Sequence, residues 1–374
     1  MLALAATAFV LLWQWATVNA NYGGNWTALF CTGALEPHPA LDASEHVYLF
    51  PNSRGYDGQF YHYIAHDPFL RSNLKSSIDD ARLRYRRILV PFLAFALAGG
   101  QSESIDRAYE LVFLLTVALG VFWSCRVAQN AGVAAAWGLL FLAMPAVPIT
   151  MDRLVVDGAL AALTVAFVYY SPSPSWKLFL VLACAVLTRE TGLLLVIAWC
   201  VSLAGRRQFR TAALFLLTAV PGAAWYAYVQ TKTTANVYAT SLVPFSAIVS
   251  AFLHPLRYPP GTPLAIAVHA ADYLALAGML VALALALLWF ARLPLDPVRI
   301  AAVLFAVVGI LLQRADLWRD VYGYGRLFTP LLVCLSALAA QYRRPWLLAP
   351  LAMIAPRIAI QLAPQALGIL HWAA

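Results

Sequence analysis

Charge is scarce in this chain. Only 11% of its 374 residues are Asp, Glu, Lys or Arg, while 62% are hydrophobic. A soluble domain carries about 25% charge and about 45–50% apolar residues. This much apolar surface cannot be hidden in one water-soluble core, so a bilayer is its natural solvent. Lysine is almost absent, found only at Lys75, Lys177 and Lys232. The net charge of +8 comes from short arginine clusters between apolar runs. That is the positive-inside pattern of membrane proteins and not a nucleic-acid-binding stripe, so no nucleic-acid partner is expected. The five cysteines form no disulfide framework. Four lie in or beside apolar runs, where small buried hydrophobes belong, and Cys31 is alone in a loop. The first apolar run has no Lys or Arg before it, so residues 2–18 read as a retained span and not as a secretory leader.

Eleven runs are candidate membrane helices: 2–18, 106–125, 133–149, 157–171, 176–188, 191–205, 211–230, 269–291, 299–313, 326–341 and 346–362. The apolar stretch 88–99 is shorter and ends at Gly99-Gly100, which suits an interfacial or re-entrant helix. Charge tests that choice. With the N-terminus inside and 88–99 not crossing, Arg126, Lys177, the Arg206–Arg210 cluster, Arg292, Arg299 and Arg343-Arg344 all fall inside, as the orientation rule requires. If 88–99 crossed, the two strongest clusters would fall outside. In the favoured topology Asp296 is the one acidic residue on the inner side. The acids gather outside, as an outer-face active site or simply longer outer loops would bring about. The fold class expected is all-α integral membrane. The long outer loop is 19–105, a second runs over 231–268, and Tyr258–Pro263 reads as a turn-rich connection. No internal repeat of the transporter kind is visible.

The outer loop 54–91 holds the densest chemistry. Asp57-Gly58 favours a turn, and Gln59 to His66 suits a short helix ended by Pro68. Phe60, Tyr63 and Ile64 share helical spacing and would rest on the membrane surface. Asp57 stands at that helix's N-terminus, either as an ordinary N-cap or as a functional carboxylate favoured by the helix dipole. His62 and His66 are four apart, a spacing a zinc pair needs, but no metalloprotease glutamate lies between them. They are read as a wet interfacial face, and no metal ligand is assigned.

The string Tyr56-Asp57-Gly58-Gln59-Phe60-Tyr61-x-x-Ile64-Ala65, followed by Arg84-Tyr85-x-Arg87-Ile88-Leu89-x-Pro91, resembles the first outer loop of the GT-C superfamily, polytopic glycosyltransferases that use polyprenyl-phosphate-linked sugars. It is most similar to bacterial, mannosyltransferase-like members. An acid in the second outer loop, Asp152 or Asp157, and an Arg-Leu-Phe-x-Pro stretch over 326–330 extend the likeness. It covers residues 1–230 best, which implies a catalytic module there and a second loop with variable helices over 231–374. The resemblance implies a multi-pass protein of a bacterial inner membrane, with its active site facing the periplasm or exterior. The partners implied are membrane lipids, a polyprenyl-phosphate sugar donor, and a glycan, lipid or protein acceptor.

The resemblance also assigns Asp57 as general base, with inversion at the anomeric carbon. A leaving phosphate gathers charge in the transition state, which a positioned arginine stabilises. Arg326, Arg84, Arg86 and Arg87 are the candidates. Bulk lipid headgroups are the alternative partners of residues 84–87, and Asp316 or Asp320 those of Arg326. Tyr56, Gln59, Tyr61, Arg189 and Glu190 are assigned to the substrate groove, although Arg189-Glu190 could equally be a mutually paired turn. The first loop has no Asp-x-Asp, so a divalent metal is left open and no cofactor is assigned. A flippase for lipid-linked saccharides and a non-catalytic subunit of a glycan assembly system are the competing functions. Ionisable groups at span ends, with Glu110 and Asp272 the deepest, disfavour the first of these.

Overall fold

The computed structural model describes residues 1–236, 241, 243–256, 258, 263–290 and 295–374. Most of the Tyr258–Pro263 connection, and Arg292, lie outside them. The regular structure of the described residues is helical apart from one short parallel pairing, Thr32–Gly33 with Leu49–Phe50, and two isolated bridges. In hydrocarbon a helix satisfies its own backbone groups, which is why apolar runs of this length take that form.

Among the described residues all eleven apolar runs are helical over most of their length. Among the described residues four helices are long and apolar enough to cross a membrane alone: Leu2–Tyr22, Ser102–Asn130, Phe209–Lys232 and Ala265–Leu288. Three further runs are bent pairs, Ala135–Ala143 with Ala146–Arg153, Val321–Leu327 with Thr329–Gln341, and Pro345–Gln361 with Ala363–Ala373, bent by 56°, 56° and 47°. The remaining four, Asp157–Tyr170, Trp176–Thr188, Glu190–Gly205 and Pro297–Leu311, are each about 20–24 Å long. The chain is thus a multi-pass helical membrane protein.

The helix Leu89–Leu97 has nine residues, about 13 Å at 1.5 Å per residue, too short to cross. It buries Val90, Pro91 and Ala94 and leaves Phe92, Leu93 and Leu97 exposed, an apolar face suited to lipid. Gly99 and Gly100 follow with φ of 60° and 74°, a conformation that turns the chain sharply into the next helix.

Charge is sorted along the long helix Ser102–Asn130. Near its start, Asp106 meets His62 of the helix that carries Asp57. At its far end Asn130 lines a cavity with Arg206, Asp296 and Gln341, and the Arg343 Nη2 donates to the Gly132 carbonyl at 3.1 Å. The helix is about 43 Å long, so the helix that carries Asp57 and these basic residues occupy opposite ends of the bundle.

Candidate active site

Asp57 is the first residue of the helix Asp57–His66, and Tyr56 is the N-cap residue with no side-chain cap. The ordinary N-cap alternative is therefore corrected, because the Asp57 carboxylate points to arginines. Three ties fix that helix start. The Tyr56 N–H donates to the Cys31 carbonyl at 2.9 Å. Gln59 accepts from the Gly33 N–H at 3.1 Å and donates to the Arg54 carbonyl at 2.9 Å. Gly58 lies so close to neighbouring backbone that a Cβ would run into the carbonyl oxygens of Arg153 and Phe30.

Phe60, Tyr63 and Ile64 do not rest on a membrane surface as expected. They are buried inside the protein, because the helix is enclosed by Leu89–Leu97, the Ser102–Asn130 span and the 26–30 turn. His62 and His66 are likewise not a wet face: their side chains are 0% and 4% exposed.

Asp57 Oδ2 accepts from two guanidinium groups, Arg84 Nη1 at 2.6 Å and Arg326 Nη2 at 2.5 Å. Arg326 comes from 269 residues away. Burial works against ionisation of Asp57, but the Arg326 and Arg84 charges outweigh it and hold its carboxyl well below the usual range. Arg84 also grips Asp79 in a bidentate pair, at 2.9 and 2.7 Å. Arg87 donates to Glu190 at 3.2 Å and to the Tyr61 hydroxyl at 3.1 Å. Arg189 pairs closely with Asp157, which also lies 3.6 Å from Arg326. Two expectations are corrected here. Arg189 and Glu190 are not paired with each other, because their side chains meet Asp157 and Arg87. Arg326 meets neither Asp316 nor Asp320 in a direct pair, because it is turned inward, with its guanidinium 4.9 Å from the centre of the Tyr56 ring.

These groups face one cavity of about 490 Å³, lined by Tyr56, Asp57, Arg84, Arg87, Arg189, Glu190 and Arg326. Asp79, Arg314, Asp316 and Asp320 also border it. Its charges are balanced internally, yet Arg326 Nε is buried without a hydrogen-bond partner among the described residues.

Several expected residues stand elsewhere. Arg86 lies 5.5 Å from the centre of the Tyr226 ring and does not line the cavity. Gln59 is spent on backbone groups, and Tyr61 acts behind Arg87. Asp152 belongs to another cluster, with Arg153 at 2.7 Å, Tyr322 at 3.3 Å and Gln365. Asp157 is 1% exposed and stands behind Arg189 and Arg326. The sequence reading missed Asp79, whose only signal was its place five residues before Arg84. The two deep acids are also held: Asp272 by Arg357 at 2.5 Å, and Glu110 by Gln14 at 3.4 Å.

No family model and no curated protein matches the chain. Among solved structures it is similar to ArnT from Cupriavidus metallidurans in the apo state, at 16% identity and a TM-score of 0.45. That likeness covers 90% of this chain and 60% of the other, so the chain spans about three fifths of that protein's length.

Proposed function

We propose that the chain is a GT-C-type glycosyltransferase of a bacterial inner membrane, moving a hexosyl or pentosyl group from a polyprenyl-phosphate donor to a cell-envelope acceptor on the outer face. One observation carries the proposal: a carboxylate, Asp57, shares a cavity at one end of the helical bundle with Arg84, Arg87, Arg189 and Arg326. The outer-loop motif that resembles this superfamily supplies both Asp57 and Arg84. In this reading residues 1–230 provide the base and most of the cavity, and 231–374 contribute Arg326.

The chemistry follows from what the side chains can hold. The acceptor hydroxyl attacks the anomeric carbon, its proton passes to Asp57, and the bond from that carbon to the phosphate oxygen breaks. Attack opposite the leaving group inverts the centre. The phosphate leaves with the bonding electrons, and Arg326 and Arg84 neutralise it. Without donor, the same two arginines make Asp57 a weak base. A donor phosphate competes for their N–H groups, with Arg326 Nε already unspent. Donor binding therefore loosens the clamp on Asp57 and raises its basicity when a proton must be taken.

Transfer of radiolabelled sugar from a panel of polyprenyl-phosphate sugars to membrane-extracted acceptors tests the reading. Turnover in the parent that is lost in folded Asp57→Asn protein supports it. Equal turnover in both removes Asp57 from the mechanism. No transfer with any donor, from intact protein, favours the assembly-subunit or flippase alternatives. The pairing of Asp272 with Arg357 and of Glu110 with Gln14 weighs against a flippase, which needs polar groups lining a path.

A further inference from the structure

A second group of ionisable side chains lies on the far side of the helix Asp57–His66. At about 100° per residue, His62 and His66 stand roughly 140° and 180° around the helix from Asp57. They meet Glu45 from the outer loop and Asp106 from the start of the Ser102–Asn130 span, and one ligand atom from each of the four falls within 4.8 Å of the others. His62 Nε2 lies 2.7 Å from Asp106 Oδ1, 3.2 Å from His66 Nε2 and 3.6 Å from Glu45 Oε2. His66 Nε2 lies 3.3 Å from Glu45 Oε2. A tetrahedron of N and O ligands about 2.0–2.1 Å from zinc has edges of about 3.3 Å. These separations are four of the six edges and bracket that value, and the four ligand atoms together span no more than 4.8 Å.

Proton bookkeeping leads the same way. Ser102 Oγ donates to Glu45 Oε1 at 2.6 Å, so its hydrogen is spent. His66 Nδ1, 2.9 Å from the same Oγ, must then be the donor, which leaves a lone pair on His66 Nε2. The Glu45 Oε2 is buried with no hydrogen-bond partner among the described residues. Four lone-pair atoms thus converge where His62 Nε2 can supply at most one proton. A cation satisfies all four together.

We propose that Glu45, His62, His66 and Asp106 form a closed, four-coordinate Zn²⁺ site. The donor set of two imidazoles and two carboxylates suits zinc better than magnesium. Ser102 links His66 to Glu45, as groups that orient metal ligands do. The ring of His62 is placed by stacking on Phe30, with centroids 4.2 Å apart. A cavity of about 560 Å³ that Asp106 lines with Glu103 and Glu110 offers an entry path. With no open coordination position the metal is structural. It clamps the helix that begins at Asp57 to the outer loop and to the second span.

The test uses the full chain purified in detergent, stripped with EDTA, incubated with ZnCl₂ and desalted, then analysed for bound metal. One zinc per chain is expected. Co²⁺ in its place should give the intense visible absorption of a tetrahedral site. Glu45→Gln and His66→Ala should each abolish stoichiometric zinc, and Ser102→Ala should lower zinc affinity about 10–100-fold. Asp57→Asn should retain zinc, which keeps this result separate from the catalytic reading. Less than one zinc in the folded parent would overturn the proposal. So would equal zinc in parent, Glu45→Gln and His66→Ala, or retention of MgCl₂ in preference to ZnCl₂.

Discussion

Replacing Asp57 by Asn keeps the shape of the side chain and removes its charge, so it probes stability and catalysis together. Breaking a buried ion pair costs about 3–5 kcal/mol when a charge is left uncompensated. Here Arg84 keeps Asp79 and Arg326 keeps Asp157, and the Asn oxygen still accepts a hydrogen bond. The expected loss is therefore smaller, about 1–3 kcal/mol. Its pH dependence has a definite sign. The folded-state pKa of Asp57 is depressed, so its contribution is present above the unfolded value of about 4 and is lost as pH falls towards the folded value. Thermal unfolding of parent and variant in detergent should differ most near neutral pH and converge as pH drops below about 4. Sugar transfer should fall by about 10²–10⁴-fold, the usual worth of a general base. A variant with parental turnover would refute the catalytic reading. A melting difference that stays constant into acid would refute the clamp.

Arg84→Gln and Arg326→Gln should weaken use of the lipid donor, while Arg86→Gln, whose side chain lies against Tyr226, should leave donor KM near the parent value. Saturation curves for one donor across the three variants decide this. Gly58→Ala should lower the yield and melting temperature of folded protein, because its Cβ would meet two backbone carbonyls that cannot move cheaply. Size-exclusion chromatography with thermal unfolding measures both. For sidedness, Asn52→Cys and Arg207→Cys are suitable because both positions are exposed. An impermeant thiol reagent added to intact cells should label the first and not the second above the parental background. The reverse pattern would sink the outer-face assignment.

The membrane character was legible in composition and in run length. Each apolar run meets its backbone hydrogen bonds within itself, so eleven runs become helices whatever their neighbours. The stretch 88–99 was legible as non-crossing for the same local reason, since its length is a property of the chain alone. The separation of basic clusters from acidic loops was also visible, because connectivity through helices assigns alternate loops to alternate ends. Asp57 and Arg84 stood out through a motif contained within about thirty residues.

Pairing was not legible. Whether Arg326 met Asp316, Asp320 or Asp57 depended on bringing together residues 269 positions apart, and nothing near residue 326 encodes that distance. The same limit reversed the reading of Phe60, Tyr63 and Ile64. Apolar spacing on a short helix is the same for a face turned to lipid and a face turned to protein, and only packing against Leu89–Leu97, the second span and the 26–30 turn chose between them. His62 and His66 announced a helical spacing, but their ligand partners Glu45 and Asp106 are 17 and 44 residues from His62 along the chain. Local hydrogen bonding and hydropathy specify helices. Which charged groups share a dry space is set by how those helices pack, since the cost of burying a charge is met by partners that arrive from distant segments.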